Sequence, residues 1–143
     1  MRRTALAVVP TLLCCAAFVA QAQAPPAVAT SPPQTVTGDR DTPLRSVAGS
    51  GNSGISNAVL RDQPDVRALR VVVDAGGTRA VHAHTDVKFH LFIPITGTMQ
   101  VNLEGAPGVS VSPWHPYYMK AGTRHGFQNP GSSPVEIMEI FVK

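Results

Sequence analysis

From about residue 55 onward, apolar residues occur in short runs, and no segment keeps the 3.6-residue period of an amphipathic helix. Runs rich in Val, Ile, Phe and Tyr are separated by clusters of Gly, Pro, Asn, Asp and Ser, a pattern typical of short strands joined by turns. Seven or eight such strands predict a small antiparallel β-barrel or jelly roll. The predicted strands cover residues 68–73, 81–84, 88–95, 98–103, 109–112, 117–120, 123–128 and 135–142, with residues 55–60 as a further strand or arm.

The first 24 residues have the pattern of a secretory signal peptide. Residues 1–3 are Met-Arg-Arg, residues 4–20 are almost wholly apolar, and residues 22–24 (Ala-Gln-Ala) form a small-x-small cleavage site. The apolar run is too short and too poorly flanked to remain as a stable membrane anchor after cleavage. We therefore expect a periplasmic or secreted protein. The general secretory and twin-arginine routes both stay open, although the residues after the arginine pair fit the twin-arginine signal poorly.

Residues 25–54 are predicted to be a flexible tether, and residues 55–143 the folded domain. The tether is rich in Pro, Ala, Ser, Thr and Gly, with five prolines from Pro25 to Pro43. It offers too few large apolar groups to offset the entropy lost on ordering. The alternative is that part of this segment packs as an arm on the barrel or on a second subunit.

Both cysteines, Cys14 and Cys15, lie in the signal peptide, so the mature protein would have neither disulfides nor a cysteine ligand. Cleavage also removes Arg2 and Arg3, which leaves ten basic residues against nine acidic ones. No basic run with interleaved aromatic residues remains. We therefore expect no binding to nucleic acid.

Four of the five histidines fall into two patches that suit a metal ion. His82 and His84 are two residues apart, so in a strand their side chains share a face. His90 follows on the next predicted strand, and His125 lies in the second patch. Imidazole is a good ligand for zinc, copper, iron and nickel. The alternative is a polar cluster without a metal, but burying several neutral imidazoles without partners is costly.

The first patch resembles the first sequence motif of the cupin family. It has Gly76, five residues, His82-x-His84, a third ligand position and then Gly97. The family usually has a glutamate at that third position, whereas here His90 stands at the right distance before Gly97. The carboxylate is thus replaced, and the segment before it is longer.

The second patch, residues 122–129 (Gly-x-x-His-x-x-x-Asn), resembles the second cupin motif, with Lys120 where the family usually has a proline. The resemblance covers about residues 66–143 and is to small, single-domain, type-2-like, quercetin-dioxygenase-like cupins. It implies a double-stranded β-helix, the jelly-roll cupin barrel. It also implies one divalent transition-metal ion (Fe, Mn, Ni, Cu or Zn), with His82, His84, His90 and His125 as the metal ligands.

Two phenylalanines and two methionines are candidates for the wall of a substrate pocket. Phe92 and Phe127 alternate with His90 and His125 and should face the barrel interior, where either pocket lining or plain core packing would suit them. Met99 and Met138 are further candidates for this pocket.

Three other titratable residues are less clearly placed. Glu136 and Glu139 lie on opposite faces of the last predicted strand, so at most one points inward, and the pattern does not say which. An inward glutamate would be the one obvious acid or base besides histidine. His115, between two prolines, is expected on a loop.

The resemblance implies dioxygenase-like chemistry on a small organic substrate such as an enol, a catechol or a β-dicarbonyl compound. Isomerases and decarboxylases also occur in the family, so whether and how the chain acts as an enzyme is not decided by the motifs. The alternatives are a non-catalytic periplasmic protein that binds a small molecule or a metal, and a structural cupin without an ion. Many relatives are dimers, so we expect a homodimer.

Overall fold

The computed structural model describes residues 38–143, which form nine antiparallel strands and no helix. The predicted signal peptide and the predicted tether up to residue 37 lie outside the described residues. Residues 38–143 include no helix that could cross a membrane. The strands are β1 (Arg45–Ser46), β2 (Ser53–Asp62), β3 (Val66–His82), β4 (Phe89–Pro94), β5 (Met99–Leu103), β6 (Val109–Val111), β7 (Tyr117–Lys120), β8 (His125–Gln128) and β9 (Val135–Val142).

The long strand β3 belongs to both halves of a nearly closed barrel. Its first half, residues 66–73, pairs with β2 on one side and with β9 on the other. Its second half, residues 78–82, pairs with β8. The strand order is therefore β6-β5-β8-β3-β9-β4-β7, with β2 and β1 added beside β3. The all-β antiparallel barrel predicted from the strand and turn pattern is confirmed.

Strand β3 bends where the sequence pattern predicts that it ends. The pattern places a turn at residues 74–77, whereas the structure continues the strand through them. Gly76 has a φ of 71°, a left-handed conformation that glycine adopts without steric cost and that redirects the chain while pairing continues. The buried amide of Asn129 holds this bend, because it donates to the carbonyl oxygens of Val73, Asp74 and Ser133. The glycine and asparagine of the two motifs therefore have a structural role.

The folded part begins earlier than residue 55. Strand β1 pairs with β2, and the Val47 N–H donates to the carbonyl oxygen of Ile55. Val47 also packs against the core. The last ten residues of the predicted tether thus form an arm on the barrel. The composition of residues 45–54 does not predict this arm, because backbone pairing and the packing of Val47 hold it in place without a run of apolar residues.

The core lies inside the barrel and is formed by the inward-facing residue of each alternating pair. Strand β9 shows the rule, since its residues are alternately buried and partly exposed along its whole length. The residues of the core cluster are Ile55, Val71, Val73, Phe92, Met99, Val101, Val111, Met119, Phe127, Val135 and Ile137.

Two valines on strands of the barrel, one buried and one exposed, test this core. Val101 on β5 is fully buried, whereas Val59 on β2 is 45 % exposed. We expect Val101→Ala to lower the free energy of unfolding by about 2 kcal/mol, because it removes buried methyl groups and leaves a cavity. The matched Val59→Ala change should cost less than about 0.5 kcal/mol. Urea unfolding of both variants measures this, and equal losses would contradict the assigned inward face.

Candidate metal centre

Three strands and one loop bring four imidazole rings together inside the barrel. His82 is the last residue of β3 and lies directly opposite His125, the first residue of β8. His84 follows His82 in the loop that leads to β4, and His90 lies in β4 itself. The centroids of the His84 and His90 rings are 5.2 Å apart, and those of the His90 and His125 rings are also 5.2 Å apart. The two sequence patches therefore form one cluster.

Three of these histidines bring ring nitrogens close to one another. One ring nitrogen from each of His82, His84 and His125 lies within 4.8 Å of the other two. The Nε2 atoms of His82 and His84 are 3.1 Å apart. Two nitrogens bound to one zinc-like ion lie roughly 2.8 to 3.4 Å apart, given metal–nitrogen distances near 2.0–2.1 Å. Three histidines of this site could therefore hold a metal ion.

Backbone carbonyl groups orient two of the three rings. The Nδ1 atom of His82 is 2.9 Å from the carbonyl oxygen of Ala80, and that of His125 is 2.9 Å from the carbonyl oxygen of Thr123. A carbonyl oxygen only accepts, so each Nδ1 carries the proton and donates it. Each Nε2 is then unprotonated: that of His82 lies 3.1 Å from Nε2 of His84, and that of His125 is buried without a hydrogen-bond partner. Such a carbonyl contact is the usual support of a metal-bound histidine.

His90 faces the barrel interior, which settles the register that its longer hairpin left open. It is 1 % exposed, and its ring stacks on Phe141 with centroids 4.3 Å apart. Neither of its ring nitrogens has a hydrogen-bond partner, and Nε2 lies 3.6 Å from Oε1 of Glu139. His90 is not part of the three-histidine set, so its role as a ligand stays a prediction.

Of the two glutamates on β9, Glu139 is the one that points inward. It is 6 % exposed, and its Oε1 has no hydrogen-bond partner. Glu136 lies on the opposite face, where it pairs with Arg70. Burial raises the pKa of Glu139 to about 7, because a carboxylate loses its hydration there. A carboxyl group thus lies beside the histidines, although on a different strand from the one that the family motif would use.

The imidazoles of the cluster are neutral near pH 7. Burial is the main cause that lowers the pKa of all four rings, to about 4 for His84 and to about 2 for His90. Neighbouring imidazoles add to this effect for His84 and His90. Only the neutral ring can bind a metal ion, so the cluster is in the protonation state that binding requires.

A cavity of about 100 Å³ adjoins the cluster. Phe127, a candidate pocket residue, lines it together with a cationic residue, Arg79, that the sequence pattern did not single out. The sequence pattern does not place Arg79 beside the histidines, because in a regular strand residues three apart, such as 79 and 82, point to opposite faces. The other lining residues are Val47, Ile55, Asn57, Arg67, Leu69, Val71, His82, His84, Asp86, Val87, Glu139, Phe141 and Lys143.

The remaining predicted pocket residues lie elsewhere. Phe92 and Met99 are fully buried in the core and do not line the cavity. Met138 lies on the outer side of β9, next to a separate surface groove. Because Met138 is one residue from the inward-facing Glu139, strand alternation directs it outward, away from the cavity beside the histidines. His115 lies on an exposed loop, with Nδ1 2.9 Å from the carbonyl oxygen of Pro113.

Solved structures resemble this barrel over most of its length. An RmlC-like cupin from Shewanella frigidimarina is 17% identical with a TM-score of 0.62, covering 76% of this chain and 90% of that chain. KdgF from a Halomonas species is 20% identical with a TM-score of 0.63, covering 77% and 94%. The polyketide cyclase RemF from Streptomyces resistomycificus is 19% identical with a TM-score of 0.62, covering 71% and 74%.

No protein-family model and no curated protein matches the chain. The solved structures nevertheless agree in their architecture, and the chain has the cupin fold. Two cupin-like motifs therefore stand in a cupin barrel, with their histidines in one cluster.

The buried carboxyl group predicts a pH-dependent effect of substitution. The pKa of Glu139 rises from 4.5 in the unfolded chain to about 7 in the fold, so its burial destabilises the protein increasingly as the pH rises from 4.5 to 7. In metal-free protein, Glu139→Gln should therefore be more stable relative to wild type at pH 8 than at pH 4.5, by roughly 1–3 kcal/mol. Urea unfolding at both pH values measures this. Glu136→Gln, on the outer face, is the matched comparison: it removes a carboxylate that is paired with Arg70 instead of one buried without a partner, so it should bring no gain in stability at pH 8.

Proposed function

We propose that the chain is an exported mononuclear metalloenzyme with dioxygenase-like chemistry on a small organic substrate. The observation that best supports this is the convergence of ring nitrogens from His82, His84 and His125 beside a cavity. The neutral state of these rings and the carbonyl contacts behind two of them support it further. These features are more typical of histidines that bind a metal ion than of a polar cluster with a purely structural role.

In this proposal His82, His84 and His125 hold the ion, and His90 is a fourth ligand from β4. A bound iron, manganese, nickel or copper ion would supply the Lewis acidity and redox chemistry that activate a chelated enol, catechol or β-dicarbonyl group towards dioxygen. Zinc has no redox chemistry and would favour isomerase or lyase activity instead. The identity of the ion therefore decides between these reaction types.

Glu139 is the acid–base candidate of the proposed site. Its inward carboxyl group faces the cavity, and burial keeps its pKa at about 7, where one group can both donate and accept a proton. The first motif has His90 where the family usually has a glutamate. Glu139, on β9, supplies a carboxyl group to the proposed site from a different strand.

The alternative is a non-catalytic periplasmic protein that binds a small molecule or a metal. The small cavity, about 100 Å³, favours this reading because it leaves little room for a large substrate and its co-reactant. The fold itself does not decide, since the similar RemF is a polyketide cyclase and cupin barrels host several chemistries.

Export and pairing complete the proposal. The signal-peptide pattern of residues 1–24 supports a periplasmic or secreted location, and the resemblance to dimeric cupins supports a homodimer. A mature chain with nearly balanced charge supports a small-molecule ligand over a nucleic acid.

Metal content tests the proposed centre directly. We expect untagged protein isolated from its native host to carry about one transition-metal ion per chain, measured by plasma mass spectrometry. The double variant His84→Ala, His125→Ala should retain less than about a tenth of it, because two of the four proposed ligands are lost. The matched control is His115→Ala, which removes an exposed histidine outside the cluster.

The opposite result would also be informative. Wild-type protein that takes up no ion, even after reconstitution with iron, manganese, nickel, copper or zinc, would end the metalloenzyme proposal. Loss of metal in the His115→Ala control as well would move the site away from the cluster.

Oxygen consumption separates the enzyme from the binder. We expect metal-loaded protein to consume dioxygen with acetylacetone, a compact β-dicarbonyl compound, at a rate at least about tenfold above the His84→Ala, His125→Ala variant. An oxygen electrode measures the rate. Binding of the compound without oxygen consumption, for every redox-active ion loaded, would support the non-catalytic alternative.

A further inference from the structure

A β-bulge turns Arg79 into the same cavity as the histidines. On β8, Phe127 and His125 are two residues apart and share the inner face. They pair with Arg79 and His82 on β3, which are three residues apart, and the register shifts between them. One extra residue on β3 therefore allows both side chains to point inward. Both line the cavity.

Arg79 has a free guanidinium group. Within residues 38–143 it makes no ion pair or hydrogen bond through its side chain, whereas Arg67, Arg70 and Arg124 each pair with an acidic residue. Arg79 is partly buried and lines the cavity together with His82 and Glu139. A guanidinium held in a cavity without a partner loses hydration that nothing in the protein replaces.

The other charged groups around the cavity do not neutralise Arg79. Arg67 and Lys143 line the cavity but are both bound to Asp62. Asp86 also lines it, is exposed, and forms no ion pair with Arg79. Glu139 lines the cavity as well, lies beside His90 and forms no ion pair with Arg79. Cationic side chains that line the cavity therefore outnumber acidic ones by three to two. A metal ion would add further positive charge.

We infer that the cavity binds a compact carboxylate whose carboxyl group is held by Arg79. The inference rests on the proposed metal centre, which would take a second oxygen donor of the same molecule. A guanidinium binds a carboxylate through two parallel N–H donors, which fixes the orientation of the ligand as well as its charge. The class that fits is a 2-oxo acid, a 2-hydroxy acid or a β-oxo acid.

The size of the cavity limits the ligand further. At about 100 Å³ it is smaller than the cavity of about 150 Å³ that holds a benzene molecule. The end of the ligand that lies beside the histidines is therefore only a few non-hydrogen atoms long. A short oxo acid therefore suits this cavity better than a large aromatic substrate does.

Two small ligands of equal size test the inference. Acetoacetate and acetylacetone are both β-dicarbonyl compounds with the same number of non-hydrogen atoms, and only acetoacetate has a carboxylate. We expect metal-loaded wild-type protein to bind acetoacetate more tightly. Arg79→Gln should weaken acetoacetate binding roughly 10- to 100-fold and change acetylacetone binding less than about threefold. Isothermal titration calorimetry measures both.

Three controls make the result specific. Arg79→Lys keeps the charge without the paired donors and should retain part of the acetoacetate affinity. Arg45→Gln removes an exposed arginine outside the cavity and should change neither affinity. Metal content, measured on the same samples, should be equal in wild type and Arg79→Gln.

The outcomes for the metal centre and for Arg79 are distinguishable. If the wild type binds no metal, the proposed function fails. Acetoacetate binding to metal-free protein, followed by NMR, then still tests Arg79 by its loss in Arg79→Gln. Acetoacetate affinity that is unchanged in Arg79→Gln, or no acetoacetate binding in either form of the wild type, would overturn the inference.

Discussion

The position of every residue in the proposed site depends on the continuous strand β3. It pairs with β2, β8 and β9 in turn, so its bend fixes how the two halves of the barrel meet. The buried amide of Asn129 holds that bend by donating hydrogen bonds to the carbonyl oxygens of Val73 and Asp74. The end of β3 then delivers Arg79 and His82 to the cavity. The hydrogen bonds that hold the bend of β3 thus also determine where Arg79 and His82 lie.

The barrel places unpartnered polar atoms next to an apolar core. Both ring nitrogens of His90, Nε2 of His125 and Oε1 of Glu139 are buried and have no hydrogen-bond partner among the described residues. Apolar side chains of similar size would fill this space without that desolvation cost. The cost is concentrated in one place, where a cation and an anionic ligand would satisfy the free atoms. Such local sacrifice of stability is typical of binding sites.

In the proposed site the histidines would bind a cation and Arg79 would bind an anion. The imidazole lone pairs of His82 and His125 suit a metal ion, and the Arg79 guanidinium suits a carboxylate. Glu139 lies beside His90, and its raised pKa reflects the same burial that keeps the imidazoles neutral. A ligand that carries both a carboxylate and a second oxygen donor would use both features at once.

The sequence by itself determined the all-β class, most strand positions and the four clustered histidines, because strand alternation and motif spacing are local properties. Only the tertiary structure decided which side chains meet. The bend of β3, the bulge before His82 and the arm at residues 45–54 depend on pairing with distant strands. That pairing turned Glu139 and Arg79 inward and Met138 outward. Strand alternation predicts only that neighbouring side chains point to opposite faces of the sheet. Which of the two faces lies inside the barrel is decided when the strands pair.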